Sequence, residues 1–380
     1  MNGRERLLAT LGGQPVDRVA IAPFLYFNSV YELFGYVPDI DNFSDPPDFD
    51  PIVKFVEYCD YFGFDVMHNL GSDWGFYMFR PCDNWDVRIA EERRGDEKQR
   101  TITIRTPEGD LRHVENYRRS SRYLVVSAPE EYLVKSPRDF EILRKYAPTP
   151  DLLDARLVRR AAQAVGDKGL VASNAGGVFN MLNAWRKLDD VMSDPLTDEG
   201  FYREMAAYAR DCAIGAMQVM IANGADLIEM TGNLATSAVG PRYYRKYVLD
   251  YEKQVIDAVH AAGALVNYHN CGDAARIMHL YNEMGMDCWG YLTPPPFGDV
   301  DLDEALRVIR RDMALRGNID QVEFMVRATP RQVNDRVRDL LLKVKPRGNW
   351  ILSTTDFLFD GTPYENIRAF TAAGMAYGQY

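Results

Sequence analysis

From residue 165 onward short apolar runs alternate with longer helical periods, two further apolar runs precede that region, and together they make eight candidate strands. That pattern predicts an α/β protein built as a (β/α)8, or TIM, barrel. A chain of 380 residues with 47% hydrophobic residues has the material for one large core, so residues 1–380 are read as a single barrel domain.

The early strand candidates are Val19-Ala20-Ile21-Ala22-Pro23-Phe24 and Phe64-Asp65-Val66-Met67-His68. From about Trp85 to Leu133 the alternation changes character. Thr101-Ile102-Thr103-Ile104-Arg105 has the period-2 pattern of a half-buried strand, and Thr106-Pro107-Glu108-Gly109-Asp110 is a turn. An antiparallel β meander inserted at about 85–133 follows, which could be a lid, an interface or a plain decoration. Later strands are expected at 169–174, 226–231, 264–270, 288–292, 313–318 and 349–354. Between them, Asp273 is expected to cap a helix over 274–284 that Gly285 stops, and Pro241 opens a helical segment ending near Ala262-Gly263. Segments 301–311 and 330–344 and a last helix from about Pro363 to Ala376 complete the ring.

A net charge of −11 and a pI near 5.1 argue against nucleic acid or an anionic membrane as the main partner. Five cysteines without a CxxC pair suit a reducing compartment. The start shows no signal-peptide apolar region and no run approaches the length needed to span a bilayer, so a cytoplasmic protein is expected. A homodimer is a candidate assembly.

Chemistry concentrates where strands are expected to end. His269-Asn270-Cys271 puts an imidazole and a sulfur at i and i+2, on one side of an extended strand. That is metal-ligand spacing, although two core residues would show the same pattern. Zinc takes three protein ligands at a catalytic site, and Asp356 or Glu229 is the candidate third. In a barrel of this class the chemistry lies at the carboxyl ends of the strands, where Glu229 and Asn233, His269 and Cys271, Asn318 and Asp320, and Thr355 and Asp356 all fall. Asn174 ends another strand beside small residues. Asn174, Asn233, Tyr268, Tyr291 and Asn318 are the candidate substrate-binding residues, and Glu229 and Asp356 the candidate catalytic ones.

Several motifs together resemble one family. Gly3-Arg4-Glu5-Arg6-Leu7-Leu8 with Pro15-Val16-Asp17-Arg18-Val19, the Thr106-Pro107-Glu108-Gly109 hairpin, His269-x-Cys271-Gly272, and Leu352-Ser353-Thr354 with Gly361-Thr362-Pro363-Tyr364-Glu365-Asn366 resemble the uroporphyrinogen decarboxylase superfamily, and within it the corrinoid-dependent methyltransferase branch. The resemblance implies zinc at the strand ends and methyl transfer to or from the cobalt of a corrinoid. In the thiol-methylating members the third ligand is a cysteine after Ser-Thr-Gly, whereas Ser353-Thr354-Thr355-Asp356 puts an aspartate there. A carboxylate donates less charge than a thiolate, so zinc is left a stronger Lewis acid with a preference for oxygen.

The expected activity is therefore demethylation of an O-methyl compound, with a methoxylated aromatic as candidate. Glu229 would complete the metal shell or protonate the leaving oxygen. The alternatives are a methylcobalamin:thiol methyltransferase and a metal-free decarboxylase-like barrel. Decarboxylase members hold acidic substrate arms with an arginine-rich loop, and Pro23-Phe24-Leu25-Tyr26-Phe27-Asn28 has no arginine. The stretch from Asp65 to Gly71 approaches the cobalamin motif Asp-x-His-x-x-Gly but has one residue too many before His68. The corrinoid is thus expected on a separate protein.

Overall fold

The computed structural model describes residues 1–69 and 76–380. In chain order the strands are β1 (Ala20–Ile21), β2 (Val66–Asn69), β3 (Asp86–Arg94), β4 (Glu97–Thr106), β5 (Gly109–Arg119), β6 (Val125–Glu131), β7 (Gly169–Gly176), β8 (Leu227–Thr231), β9 (Leu265–Asn270), β10 (Cys288–Tyr291), β11 (Ala314–Ile319) and β12 (Trp350–Thr354). Eight of them form one parallel sheet in the order β1-β12-β11-β10-β9-β8-β7-β2. All eight expected barrel strands are present. They are apolar along most of their length because helices cover one face and the sheet's own interior the other.

The sheet is curled around a core. Ala20, Met67, Leu170, Leu227, Cys288, Ala314 and Ile351 form one buried cluster with Leu265 packed against it, so every strand contributes, and Leu7 and Leu11 of the helix Gly3–Leu11 join it. That helix starts in a capping box between Asn2 and Glu5. The two end strands meet at a seam. Asp65 N–H donates to the Ile21 carbonyl at 2.8 Å, and Ile21 N–H donates to Asp65 Oδ2 at 2.8 Å. Arg6 and Arg18 close on the same carboxylate at 2.6 and 2.8 Å. Arg6 and Arg18 of the N-terminal motif are therefore structural here. Among the described residues no strand ladder joins β1 to β2. β1 is two residues long because Pro23, which has no N–H, ends its pairing soon after.

β3 to β6 form the expected antiparallel meander, inserted between β2 and β7 in the order β3-β4-β5-β6. Ile102, Ile104 and Leu111 on its inner face are buried in the same core as Phe140 and Leu143.

Two helical expectations change. Residues 274–284 are not one α-helix: a turn precedes the 3-10 segment Met278–Glu283, and the N–H groups of Ala274 and Ala275 go to Asp299 Oδ1, at 2.6 and 2.8 Å, rather than to Asp273. Segment 301–311 shortens to Leu302–Val308. The others hold closely, with Gly240–Tyr244 and Asp250–Ala261 joined by a π turn, Pro330–Val344 opened by a Thr329 capping box, and Tyr364–Tyr377 at the end. Leu70 and Gly71 of the cobalamin-like stretch lie outside the described residues. Among the described residues no helix is long and apolar enough to cross a membrane.

Candidate metal centre

Strand alternation sets the inside of the curled sheet in layers. Above the apolar cluster sit Glu229 of β8, Asn267 of β9 and Arg316 of β11, and above these His269, two residues further along β9. Asn270 points the other way and bends the chain after β9. Its Nδ2 donates to Tyr281 Oη at 2.7 Å while its Oδ1 accepts from Gly272 N–H at 3.1 Å. The bend delivers Cys271 beside His269. From across the sheet Asp356, just after β12, completes the group: one ligand atom each from His269, Cys271 and Asp356 lies within 4.8 Å of the others.

Each member is held. Gln321 Oε1 accepts from Asp356 N–H at 3.0 Å and from Thr355 Oγ1 at 2.6 Å. Asp356 Oδ1 accepts from Phe357 N–H at 2.7 Å, which leaves Oδ2 for a ligand. His269 Nδ1 faces Glu229 Oε1 at 3.1 Å, which leaves Nε2 for a metal. Tetrahedral ligands 2.0–2.3 Å from zinc stand roughly 3.3–3.8 Å apart. A nitrogen, a sulfur and a carboxylate oxygen within 4.8 Å therefore fit such an ion after small side-chain rotations. Burial works against charge on the imidazole, but Cys271 and Glu229 outweigh it and raise His269 to about 10.

Glu229 stands behind this group rather than in it. It is fully buried and accepts from Tyr291 Oη at 2.6 Å, Asn267 Nδ2 at 2.9 Å and Arg316 Nη1 at 3.3 Å besides His269. Burial pushes its carboxyl up, but His269, Arg316 and Tyr291 more than offset this and hold it at about 2. Its four partners place Glu229 to orient the His269 ring, while the three ligand atoms that lie within 4.8 Å of one another belong to His269, Cys271 and Asp356.

The candidate substrate residues divide. Tyr291 is fully buried, its ring 4.7 Å from the His269 ring and its hydroxyl on Glu229, so it supports the centre. Tyr268 lies on the opposite face of β9, bonded to Tyr244 Oη at 3.1 Å and packed on Tyr281. Asn233 accepts from Asn180 Nδ2 at 2.7 Å, and Asn318 donates to the Leu292 carbonyl at 3.2 Å. Asn174 is buried on β7 in register with Glu229.

Two features were not singled out from sequence, Arg316 and an aromatic wall. Arg316 crosses the interior to the carbonyls of Ala22 and Met67, at 3.2 and 3.0 Å, as well as to Glu229. Its sequence signal is an arginine that directly follows the apolar run Met313-Ala314-Leu315 within an expected strand. Phe24 meets the rings of His269, Tyr291 and Tyr26 at 5.1, 5.2 and 5.1 Å, and Tyr26 meets Phe357 at 4.7 Å, making an aromatic wall beside the three donors.

Parallel strands curled around a core, with nitrogen, sulfur and oxygen donors gathered at their carboxyl ends, make a candidate metal centre at the strand ends, where α/β barrels carry their chemistry. The family model for uroporphyrinogen decarboxylase (URO-D) matches residues 127–377, and the chain belongs to that family. A methylated-thiol–coenzyme M methyltransferase of Methanosarcina mazei is 28% identical over 204 residues, 53% of this chain and 49% of that protein. A methylcobamide:coenzyme M methyltransferase of Methanosarcina acetivorans is 22% identical over 255 residues, 65% of this chain and 70% of that one. A uroporphyrinogen decarboxylase of Gloeobacter violaceus is 27% identical over 153 residues, 40% and 41% of the two chains. The chain spans about half the length of the first of these relatives. Among solved structures, a methyltransferase from Methanosarcina mazei shares the fold with a TM-score of 0.72 at 15% identity, covering 99% of both chains.

Proposed function

We propose that the curled sheet is a single (β/α)8 barrel carrying the meander as an insertion, and that the protein is a zinc-dependent methyltransferase. It would take a methyl group from an O-methyl compound and give it to the cobalt of a corrinoid held by a separate protein. The observation that carries this reading is the donor set: His269, Cys271 and Asp356 come within 4.8 Å of one another, with a carboxylate as third donor. Relatives named as methylcobamide and methylated-thiol methyltransferases support the reaction class. The wall of Phe24, Tyr26 and Phe357 favours a methoxylated aromatic as substrate.

Bound at these residues, zinc would supply Lewis acidity to the ether oxygen, whose departure as an unassisted alkoxide is slow. The chain does the rest by positioning. Glu229 fixes the His269 ring through Nδ1, and Arg316 and Tyr291 keep Glu229 charged and still. Phe24 packs its ring edge-on against that of His269 and keeps water from its face. Gln321 and Phe357 hold Asp356 so that one oxygen faces the centre.

The test is metal analysis of the purified protein, followed by methyl transfer from a methoxyphenol to cob(I)alamin monitored by absorbance. Stoichiometric zinc and methylcobalamin formation are expected. A protein that neither retains nor responds to zinc overturns the metal reading. One that binds zinc but demethylates only methylated thiols selects the thiol reading that its relatives' names favour.

A further inference from the structure

β3 is an edge of the four-stranded meander, and among the described residues no strand pairs with its outer side. It is nine residues long and exposed at every position but the half-buried Val87. An open edge of that length is a template for another strand, and charged side chains are a common guard against such pairing. Whether charges guard an edge depends on what they meet across it.

The two-residue turn at Gly95-Asp96 sets Arg94 opposite Glu97, so Asp86, Arg88, Ala90, Glu92 and Arg94 turn their backbone groups toward β4. Val87, Ile89, Glu91 and Arg93 turn theirs to the open side. Side chains alternate as well. Val87 and Ile89 lie opposite the buried Ile104 and Ile102 on the inner side of the meander, which leaves Asp86, Arg88, Ala90, Glu92 and Arg94 in a row on the outer side. Their signs run minus, plus, neutral, minus, plus. Turned end for end, the row is its own complement.

In an antiparallel pair of two such strands centred on Ala90, Arg88 stands opposite Glu92 and Asp86 opposite Arg94, each twice. The open backbone groups then meet in hydrogen-bonding positions, Val87 against Arg93 and Ile89 against Glu91. A slide of two residues sets Asp86 against Glu92 in one direction and Arg88 against Arg94 in the other, so charge selects one register. Within the chain Arg88 leans on Asp86 at 3.1 Å and Arg94 on Glu92 at 3.5 Å; all four are more than half exposed, so these pairs hold them weakly. Glu91 and Arg93 on the inner side are engaged by Arg100 and Asp41, at 2.7 and 3.3 Å. Ile89, 53% exposed, meets its own copy on the diagonal.

We propose that β3 is a self-pairing edge, at which two copies of this chain join their meanders across a two-fold axis at Ala90 into one continuous antiparallel sheet.

Sedimentation velocity on the full chain is expected to give twice the chain mass. Arg88→Glu and Glu92→Arg each turn two attractive contacts repulsive and should weaken the dimer about 10-fold or more. Mixed in equal amounts, the two variants regain every opposite-charge contact, and a dimer should return. The double variant carrying both changes exchanges the signs, keeps the complement and should dimerise as well. Ala90→Cys reads the register separately: its copy lies directly opposite, with Cα atoms roughly 4.5 Å apart, so mild oxidation should join two chains by a disulfide that the parent does not form. A monomeric parent, single variants that dimerise as tightly as the parent, a mixture no tighter than its components, or an Ala90→Cys chain that cross-links no more than the parent would each overturn the proposal.

Discussion

Replacing Glu229 by glutamine probes what stands behind His269. The carboxylate and Arg316 are both 0% exposed, and four donors converge on the former. Burial alone would raise the Glu229 pKa, yet His269 and Arg316 hold it at about 2 instead of 4.5. That difference corresponds to about 3 kcal/mol in favour of the charged form in the folded chain. Glutamine keeps the volume but leaves Arg316 with no counter-charge, and breaking a buried ion pair from one side costs about 3–5 kcal/mol. Urea unfolding of the metal-free variant at pH 7 should show a loss of that size. Zinc affinity, measured by competition with a chromophoric chelator, should fall about 10–100-fold, as when a carboxylate behind a metal-bound histidine is removed. Adding Arg316→Met should recover part of the lost stability, because the orphaned charge goes with it. A Glu229→Gln protein as stable as its parent, with unchanged zinc affinity, would refute the reasoning.

Cys271→Ala and Asp356→Asn should each leave the protein folded while lowering bound zinc well below one per chain by elemental analysis; full zinc retention in both would remove them from the ligand set. Asp65→Asn should destabilise by about 3–5 kcal/mol in denaturant, since it strands the buried guanidiniums of Arg6 and Arg18 at the seam. Glu252 is fully buried and accepts from the N–H groups of Val178 and Phe179 at 3.1 and 3.3 Å; burial outweighs those bonds and raises it to about 7. A folded-state pKa above the unfolded 4.5 gives stability that is full below pH 4.5 and lost as pH rises through about 7. Melting temperatures across that window should therefore fall in the parent and stay flatter in Glu252→Gln, and an identical slope in the two would count against this account.

The strands were legible because a sheet covered on both faces writes unbroken apolar runs, as in Leu265-Val266 or Trp350-Ile351-Leu352. The meander was legible for the complementary reason, since Thr101 to Arg105 alternates as one buried face requires. Less could be read at the centre. His269 and Cys271 announce themselves by spacing, but the nearness of Asp356 depends on β12 lying on the far side of a curled sheet, a distance no local pattern carries. Asp273 has the chemistry of a helix cap, and the competing carboxylate that takes those N–H groups, Asp299, comes from a loop 25 residues away.

Adjacent residues of one strand face opposite ways, and that parity explains how the centre is built. His269 looks inward, so Tyr268 must look outward to Tyr244, and the same step puts Asn267 on Glu229 and Asn270 on Tyr281. Inward positions of β8, β9 and β11 thus give Glu229, Asn267, His269 and Arg316 to one enclosed space. A carboxylate there would be costly alone, and so would a guanidinium. Each is offset by the other, and under the proposed function the pair would act on the chemistry through the ring it orients. A substitution restoring charge balance without that orientation, Glu229→Met with Arg316→Met, should therefore keep the fold while weakening zinc binding. Stability and metal affinity should separate in this double variant, whereas a purely structural ion pair would leave zinc affinity untouched.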